Sequence, residues 1–175
     1  MRIIAGEFKG RKLTGPEGAG VRPTADSLRE TLFNILSPAI DGVVVLDAYA
    51  GTGALGLEAL SRGAARAIFI EAHRRVINVL NENIQKLGVA ERTVVLHRDF
   101  LKAAAGVEKC GLILLDPPYD VEDLDAVVGT AASLLAPGGR IVLEHSRRRP
   151  SPESAGAIPR TRVVEAGDSA LSFYQ

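Results

Sequence analysis

The feature that most constrains this fold is a series of short apolar runs that alternate with helical segments. None of the runs alternates with polar residues, so each predicts a strand buried on both faces. They occupy residues 43–46, 67–70, 93–96, 112–115 and 141–143, and helices are predicted at 54–62, 74–87 and 124–135. Strands that alternate with helices predict an α/β fold with a mostly parallel sheet covered on both faces.

The two ends of the chain extend this pattern. Residues 2–13 predict a short hairpin, and residues 25–36 predict a helix with Thr24 as its N-cap. Residues 162–164 and 171–174 predict a sixth and a seventh strand that pair as an antiparallel hairpin, after a loop over 146–159. We therefore expect an N-terminal basic hairpin extension at 1–22 and one main domain at 23–175.

Composition narrows the class of protein. Hydrophobic residues make up 46% of the 175 residues, which is enough for a substantial core, and no apolar run approaches the ~20 residues that span a membrane. The N-terminus lacks the apolar segment of a signal peptide, and the single cysteine, Cys110, cannot form an internal disulfide. These features predict a soluble cytoplasmic protein.

The formal net charge is zero, but positive charge is concentrated in two places. Lys9, Arg11 and Lys12 lie in the predicted hairpin, and a second group lies at 147–149. Local basic patches on a neutral protein are able to bind phosphates, although a solvated surface explains them equally well. We predict that Lys9, Arg11 and Lys12 contact RNA.

An acidic residue follows each of the first four strands: Asp47, Glu71, Asp99 and Asp116. In parallel sheets, ligands bind beyond the carboxyl ends of the strands. The sequence therefore predicts that these four acids lie at one ligand-binding edge.

Three glycines after the first strand, Gly51, Gly53 and Gly56, form a G-x-G-x-x-G loop, typical of nucleotide binding. Asp47 lies four residues before Gly51, where a carboxylate repels a pyrophosphate and attracts a cation such as a sulfonium. This context favours S-adenosylmethionine over a dinucleotide. Glu71 suits the ribose hydroxyls. Asp99 suits the adenine amino group, with Phe100 beside the ring.

The fourth strand ends in Asp116-Pro117-Pro118-Tyr119. The prolines remove two backbone donors and stiffen the turn. The Asp116 carboxylate and the Pro117 carbonyl then present two adjacent acceptors, which match the two N–H groups of an exocyclic amine. Tyr119 offers a flat face on which an extruded base stacks. A rigid turn without a ligand is the alternative interpretation.

The Asp-Pro-Pro-Tyr run resembles the motif of amino-methyltransferases, and the chain as a whole resembles the RsmD family, which methylates guanine N2 in bacterial 16S ribosomal RNA. The most family-specific segments are residues 22–36 and 57–64, and the glycine loop and Asp-Pro-Pro-Tyr are shared more widely. Further matching residues are Gly6, 9–13, 46–47, 50–56 and 115–119.

The resemblance implies a Rossmann-like class I methyltransferase fold, with seven strands of which the last is antiparallel, plus the N-terminal hairpin. It implies S-adenosylmethionine as cofactor, no metal, and a monomer acting on 16S rRNA in the small subunit or its assembly intermediate. Arg22 and Thr24 are expected to cover the methionine end of the cofactor. The residues expected to line the cofactor pocket are Asp47, Ala48, Tyr49, Gly51, Gly53, Glu71, Asp99 and Phe100. The arginine-rich segment after Glu144 departs from the family, and we expect the helix between strands five and six to be reduced.

Three other functions remain open at this point. A DNA amino-methyltransferase shares the Asp-Pro-Pro-Tyr motif, although the chain has no spare residues for a target-recognition region. A dinucleotide-dependent oxidoreductase shares the glycine loop, and a non-catalytic rRNA assembly factor would retain the fold without turnover. The three histidines are scattered and none pairs with Cys110 at the spacing of metal ligands.

Overall fold

The computed structural model describes residues 1–15, 23–102 and 106–175, without the side chains of residues 23–26 and 38. The helices are α1 (Pro23–Leu36), α2 (Ala54–Ser61), α3 (Arg74–Leu87) and α4 (Leu124–Leu134), with 3₁₀ turns at Ser37–Ala39, Ala90–Arg92 and Phe100–Lys102. The strands are β1 (Val44–Asp47), β2 (Arg66–Glu71), β3 (Thr93–His97), β4 (Cys110–Leu115), β5 (Leu135–Ser146), β6 (Ser154–Ala155), β7 (Ile158–Ala166) and β8 (Ser169–Tyr174).

All eight strands form one sheet in the order β3-β2-β1-β4-β5-β8-β7-β6. Strands β1 to β5 are parallel, and β8 lies antiparallel between β5 and β7. This arrangement confirms the predicted Rossmann-like α/β class, the antiparallel last strand and the closing hairpin. The described residues contain one strand more than the seven predicted, because β6 has only two residues, too few for any periodic signal.

Neighbouring residues of β1 show why helices cover both faces of the sheet. Val45 and Leu46 are both fully buried, and because side chains alternate along a strand they enter different cores. Val45 packs in a core that includes residues of α1, α2 and α3, whereas Leu46 packs in a core that includes residues of α4. Cys110 is buried in this second core, and burial raises the pKa of its thiol to about 12.

Two predicted boundaries differ from the structure. Helix α1 begins at Pro23, so Thr24 lies in its first turn instead of capping it; proline suits that turn because its missing N–H is not needed there. Strand β5 begins at Leu135, directly after α4, and its pairing with β4 is irregular over its first residues. No helix lies between β5 and β7, which confirms the expected reduction.

The N-terminal hairpin is present in a short form. It consists of a bridge between Arg2 and Lys12 and of backbone hydrogen bonds that join Ile3 to Arg11 and to Gly10. Ile3, Phe8 and Leu13 are buried in the same core as α1, α2 and α3. Residues 1–15 therefore pack on the main body, and the predicted boundary at residue 22 lies outside the described residues and stays a prediction.

Two side chains of α2 hold this hairpin. The buried Glu58 carboxylate accepts hydrogen bonds from the N–H groups of Ile4 (2.7 Å) and Ala5 (3.0 Å). The Ser61 hydroxyl accepts a bond from the Phe8 N–H and donates one to the Ala5 carbonyl. The hairpin turn is thereby fixed at the end of α2 that is remote from the glycine loop. Within the described ranges, no helix has the length and apolar character needed to span a bilayer.

Candidate active site

A cavity of about 590 Å³ opens at the carboxyl ends of the parallel strands. It brings together most of the residues that the sequence singled out from separate strand ends. The predicted residues that line it are Ala48, Tyr49, Gly51, Glu71, Asp99, Phe100, Asp116, Pro117, Pro118 and Tyr119. Parallel topology accounts for this convergence, because all five strands end at the same edge.

The three glycines of the loop are required for different structural reasons. Gly51 has a φ of +53° and a Cβ there would meet open space, so its backbone borders the cavity closely. At Gly53 a Cβ would lie 2.4 Å from Leu80 Cδ1, and at Gly56 it would lie 2.3 Å from Phe69 Cε1. Gly53 and Gly56 therefore allow α2 to pack closely, and the expected contact of Gly53 with the cofactor stays a prediction.

Asp47 is buried beneath the loop and is not among the residues that border the cavity, so its expected contact with the cofactor stays a prediction. Its Oδ2 atom accepts a 2.9 Å hydrogen bond from the Gly56 N–H, and its Oδ1 atom has no partner among the described residues. Burial raises its pKa to about 7, against the lowering effect of that hydrogen bond, and the nearby charges of Asp116 and Glu71 raise it further. Asp47 therefore stabilises the first turn of α2 through its hydrogen bond with Gly56.

Glu71 joins the end of β2 to the glycine loop. Its Oε2 atom accepts a 3.0 Å bond from the Gly51 N–H, and its Oε1 atom accepts a 2.7 Å bond from the His73 N–H. The carboxylate still borders the cavity, where it has lone pairs left for a ligand's hydroxyl groups.

The opposite side of this half of the cavity is aromatic. The Tyr49 and Phe100 rings meet edge to face with centroids 5.4 Å apart. Burial and the neighbouring Asp99 raise the pKa of Tyr49 to about 12, so its hydroxyl stays protonated. Asp99 itself accepts a 2.9 Å bond from the Leu101 N–H, which holds its carboxylate beside the aromatic pair. Apolar rings next to two acids form a pocket suited to a planar heterocycle carrying a ribose.

The Asp-Pro-Pro-Tyr turn forms the other half of the cavity. Asp116 is open to the cavity but closely surrounded by its walls, and this loss of hydration raises its pKa to about 6. The Val121 N–H bonds the Pro118 carbonyl and closes the turn. The Tyr119 side chain is 54% exposed, and its hydroxyl lies 2.8 Å from Ser169 Oγ.

Glu144 lies beside Asp116, and the sequence analysis missed it. Leu115 pairs with Leu143 in the sheet, so the next residues on the two strands, Asp116 and Glu144, are lateral neighbours that face the same cavity. Burial and the Asp116 charge raise the pKa of Glu144 to about 7, against a hydrogen bond from Ser169 that lowers it. The signal was the same one found on the first four strands, an acid directly after a buried run.

A second cavity of about 270 Å³ adjoins the first and shares Tyr49, Gly51, Asp116 and Glu144 with it. Its far side is formed by Met1 and by residues of α1. The expected cofactor contacts of Arg22 lie outside the described residues, as does the Thr24 side chain, so both contacts stay predictions.

The basic residues lie apart from the cavity. Lys9, Arg11 and Lys12 are exposed on the hairpin, and Arg11 donates a 2.7 Å bond to the Lys86 carbonyl at the end of α3. Of the second group, Arg149 is turned inward onto the carbonyls of Val121 and Glu122, whereas the residues at 147 and 148 are exposed. Within the described residues, no group of three His, Cys, Asp or Glu side chains is placed to hold a metal ion.

The chain resembles known proteins over its full length. Residues 1–175 match a family model described as "Conserved hypothetical protein 95". The chain is 37% identical over 156 aligned positions to ribosomal RNA small subunit methyltransferase D of Haemophilus influenzae, covering 86% of this chain and 81% of that protein. It is 36% identical over 181 positions to YlbH of Bacillus subtilis, provisionally named an rRNA methyltransferase, covering 100% and 98%. The structure of Escherichia coli yhhF, provisionally named a methyltransferase, superposes with a TM-score of 0.86 at 36% identity and covers 100% of this chain and 97% of that one.

Proposed function

Because this chain belongs to the RsmD family of rRNA methyltransferases, we propose that it transfers a methyl group from S-adenosylmethionine to the N2 amino group of a guanine in 16S rRNA. The observation that carries this proposal is the composition of one cavity. A nucleoside-type pocket at Glu71, Asp99 and Phe100 adjoins the Asp116-Pro117-Pro118-Tyr119 turn, so a cofactor and a base are able to meet there.

The residues present fit the cofactor. Glu71 and Asp99 border the cavity with carboxylates that suit ribose hydroxyls and an adenine amino group, and the Tyr49–Phe100 pair suits the adenine ring. The acidic lining favours a cation such as a sulfonium over a pyrophosphate. When bound, S-adenosylmethionine supplies an electrophilic methyl group.

Asp116 and Pro117 supply the orientation that a guanine N2 amine needs. The lone pair of this nitrogen is delocalised into the ring, so the amine is a poor nucleophile. When the Asp116 carboxylate and the Pro117 carbonyl accept its two N–H bonds, they hold the nitrogen as it becomes tetrahedral and stabilise the positive charge that develops on it. With a pKa of about 6, Asp116 is ionised at neutral pH and serves as an acceptor.

Tyr119 fixes the plane of the target base. Its ring is exposed at the mouth of the cavity, and the contact between its hydroxyl and Ser169 Oγ anchors the far end of the side chain. A base extruded from its RNA strand stacks on this ring. The positively charged product nitrogen is acidic enough to lose its proton to water, so the reaction requires no general base.

The proposed partner is 16S rRNA within the small subunit or its assembly intermediate, which the protein meets as a monomer in the cytoplasm. Lys9, Arg11 and Lys12 contact RNA phosphates outside the cavity. These three side chains are exposed on a segment that is rigidly held by Glu58 and Ser61, and a fixed group of positive charges suits a polyanion.

Transfer of labelled methyl from S-adenosylmethionine to small ribosomal subunits from cells that lack this enzyme tests the proposal. We expect label in the rRNA, none in matched duplex DNA, and a rate lower by ~10²-fold or more for Asp116→Ala, because an aligned acceptor is lost. Label in DNA alone would identify a DNA amino-methyltransferase. Cofactor binding without transfer to either would favour an assembly factor, and near wild-type turnover of Asp116→Ala would remove Asp116 from the mechanism.

A further inference from the structure

Glu144 is a second carboxylate in the half of the cavity assigned to the base. It lies near the end of β5, directly after Leu143, and Leu143 pairs with Leu115, the residue before Asp116. Because neighbouring parallel strands lie ~4.8 Å apart, the two carboxylates face the same cavity side by side. Glu144 has no part in holding the cofactor or the N2 amine in the mechanism above.

A chain of hydroxyl groups holds Glu144 in place. In the antiparallel pairing of β5 with β8, Glu144 lies opposite Leu171, so Ser169 is its diagonal neighbour on the same face. The Ser169 hydroxyl hydrogen-bonds the Glu144 carboxylate, and the Tyr119 hydroxyl lies 2.8 Å from Ser169 Oγ. When Ser169 donates to the carboxylate, Tyr119 donates to Ser169. The residue that stacks on the base is thus linked to the second carboxylate.

The acceptors of this half of the cavity match one base better than the others. The Watson–Crick edge of guanine presents three N–H donors, two on N2 and one on N1, whereas adenine presents an unprotonated ring nitrogen at N1. Asp116 and the Pro117 carbonyl account for the two donors on N2. We infer that Glu144 accepts the N1–H of the target guanine and is the residue that selects guanine over bases lacking this proton, an inference that rests on the function proposed above.

The ionisation of Glu144 supports this assignment. Its pKa of about 7 leaves the carboxylate charged at pH 8, where it accepts a hydrogen bond but repels the lone pair of an unprotonated N1. 2-Aminopurine keeps the 2-amino group but lacks both N1–H and O6. The contact with Glu144 is therefore isolated by comparing the preference of wild-type enzyme with that of a Glu144 variant, because the loss of O6 is common to both.

The experiment uses the complete enzyme and reconstituted small subunits at pH 8. Once the methylated nucleotide has been mapped, 16S rRNA is ligated with either guanosine or 2-aminopurine riboside at that position. We expect wild-type enzyme to prefer guanine by roughly 10-fold or more in kcat/KM, the range set by one wrongly matched polar contact. Glu144→Gln should reduce this ratio to within about threefold, because its amide is able to donate to an unprotonated N1.

Two further variants separate recognition from folding. Glu165→Gln makes the same chemical change on an exposed residue of β7 and should keep the wild-type ratio. Ser169→Ala removes the hydroxyl that orients Glu144 and should give an intermediate ratio. Equal rates of wild-type enzyme on the two substrates would overturn the inference without any variant, as would a wild-type ratio in Glu144→Gln. Failure of wild-type enzyme to methylate the guanine subunits would instead contradict the proposed function.

Discussion

At the residue scale, the burial of Asp47 beneath the glycine loop lowers the stability of the folded protein when its carboxylate is charged. One carboxylate oxygen holds the Gly56 N–H, and the other is buried without a partner in the described residues. Its pKa lies near 7 instead of the usual 3.8, because the charged form is poorly solvated there. Between about pH 4 and pH 7, the Asp47 carboxyl is therefore protonated in the folded protein and ionised in the unfolded chain.

This difference fixes the sign of a pH effect on stability. The folded pKa is raised, so the contribution of the protonated carboxyl is fully present below the unfolded pKa and is lost as the pH rises through about 7. Asparagine keeps an acceptor for Gly56 and has no such titration. The difference in free energy of unfolding between Asp47→Asn and wild type should therefore shift in favour of the variant as the pH rises. We expect this shift to be roughly 1–3 kcal/mol from pH 5 to pH 8.

Urea denaturation of both proteins at the two pH values measures this change. Asp116 and Glu144, whose pKa values are also raised, titrate in both proteins, so their effects largely cancel in the comparison. A stability difference that stays the same at pH 5 and pH 8 would mean that Asp47 has an ordinary pKa in the folded protein.

The acidic residues also show which parts of the site could be predicted from the sequence. The strand-end positions of Glu71, Asp99 and Asp116 followed from hydrophobic patterning and parallel topology, and the structure brings all three to one cavity. The burial of Asp47 was not predictable, because it depends on how closely α2 approaches β1 through Gly56. Glu144 carried a readable signal, but its significance depends on the pairing of β5 with β4 and β8.

At the element scale, the docking of the N-terminal hairpin on α2 depends on one glycine. Gly6 has a φ of +85°, and a Cβ there would lie 1.8 Å from the Ser61 carbonyl oxygen. Gly10 has a similar φ of +81°, but a Cβ there would meet nothing within 4 Å. The two positions share the same backbone strain and differ only in the clash.

Gly6→Ala and Gly10→Ala therefore form a matched pair. Both should lower the free energy of unfolding because alanine disfavours a positive φ, and Gly6→Ala should cost about 1–3 kcal/mol more, because the clash involves backbone that is held by Glu58 and Ser61. Urea unfolding of the two variants measures the difference. Equal losses would show that the hairpin does not depend on close contact with α2.

Elements were predictable where a pattern was long enough. Helix α3 spans Arg74–Leu87, the range that the sequence predicted, and the left-handed Gly88 forms its C-cap. The two-residue β6 and the first half of β5 have no periodic signature, because tertiary pairing forms them and local preference does not.

At the scale of the whole molecule, the cavity and the turn of the basic hairpin lie at opposite ends of α2. The helix begins beside the glycine loop, and its last residue, Ser61, holds the hairpin turn about 12 Å away at the standard rise per residue. A folded rRNA segment that places one base in the cavity is long enough to reach both places.

Changing Lys9, Arg11 and Lys12 together to alanine tests this contact. We expect weaker binding to small subunits and a slope of log affinity against log salt that is lower by about two to three, since each phosphate contact contributes ~0.7–0.9. Lys109→Ala removes a charge near α4, where the side chain bonds the Ser133 carbonyl, and should leave the slope unchanged. An unchanged slope in the triple variant would place the RNA elsewhere.

We propose above that the enzyme methylates the N2 amine of a guanine in 16S rRNA within this cavity. Mass spectrometry of nucleosides from 16S rRNA tests it most directly, in cells that lack the enzyme and receive either the wild-type protein or Asp116→Ala. We expect the wild-type protein to restore N2-methylguanosine, and we expect this nucleoside to be absent or strongly reduced with the variant. N6-methyladenosine in its place, or N2-methylguanosine restored equally by both proteins, would contradict it.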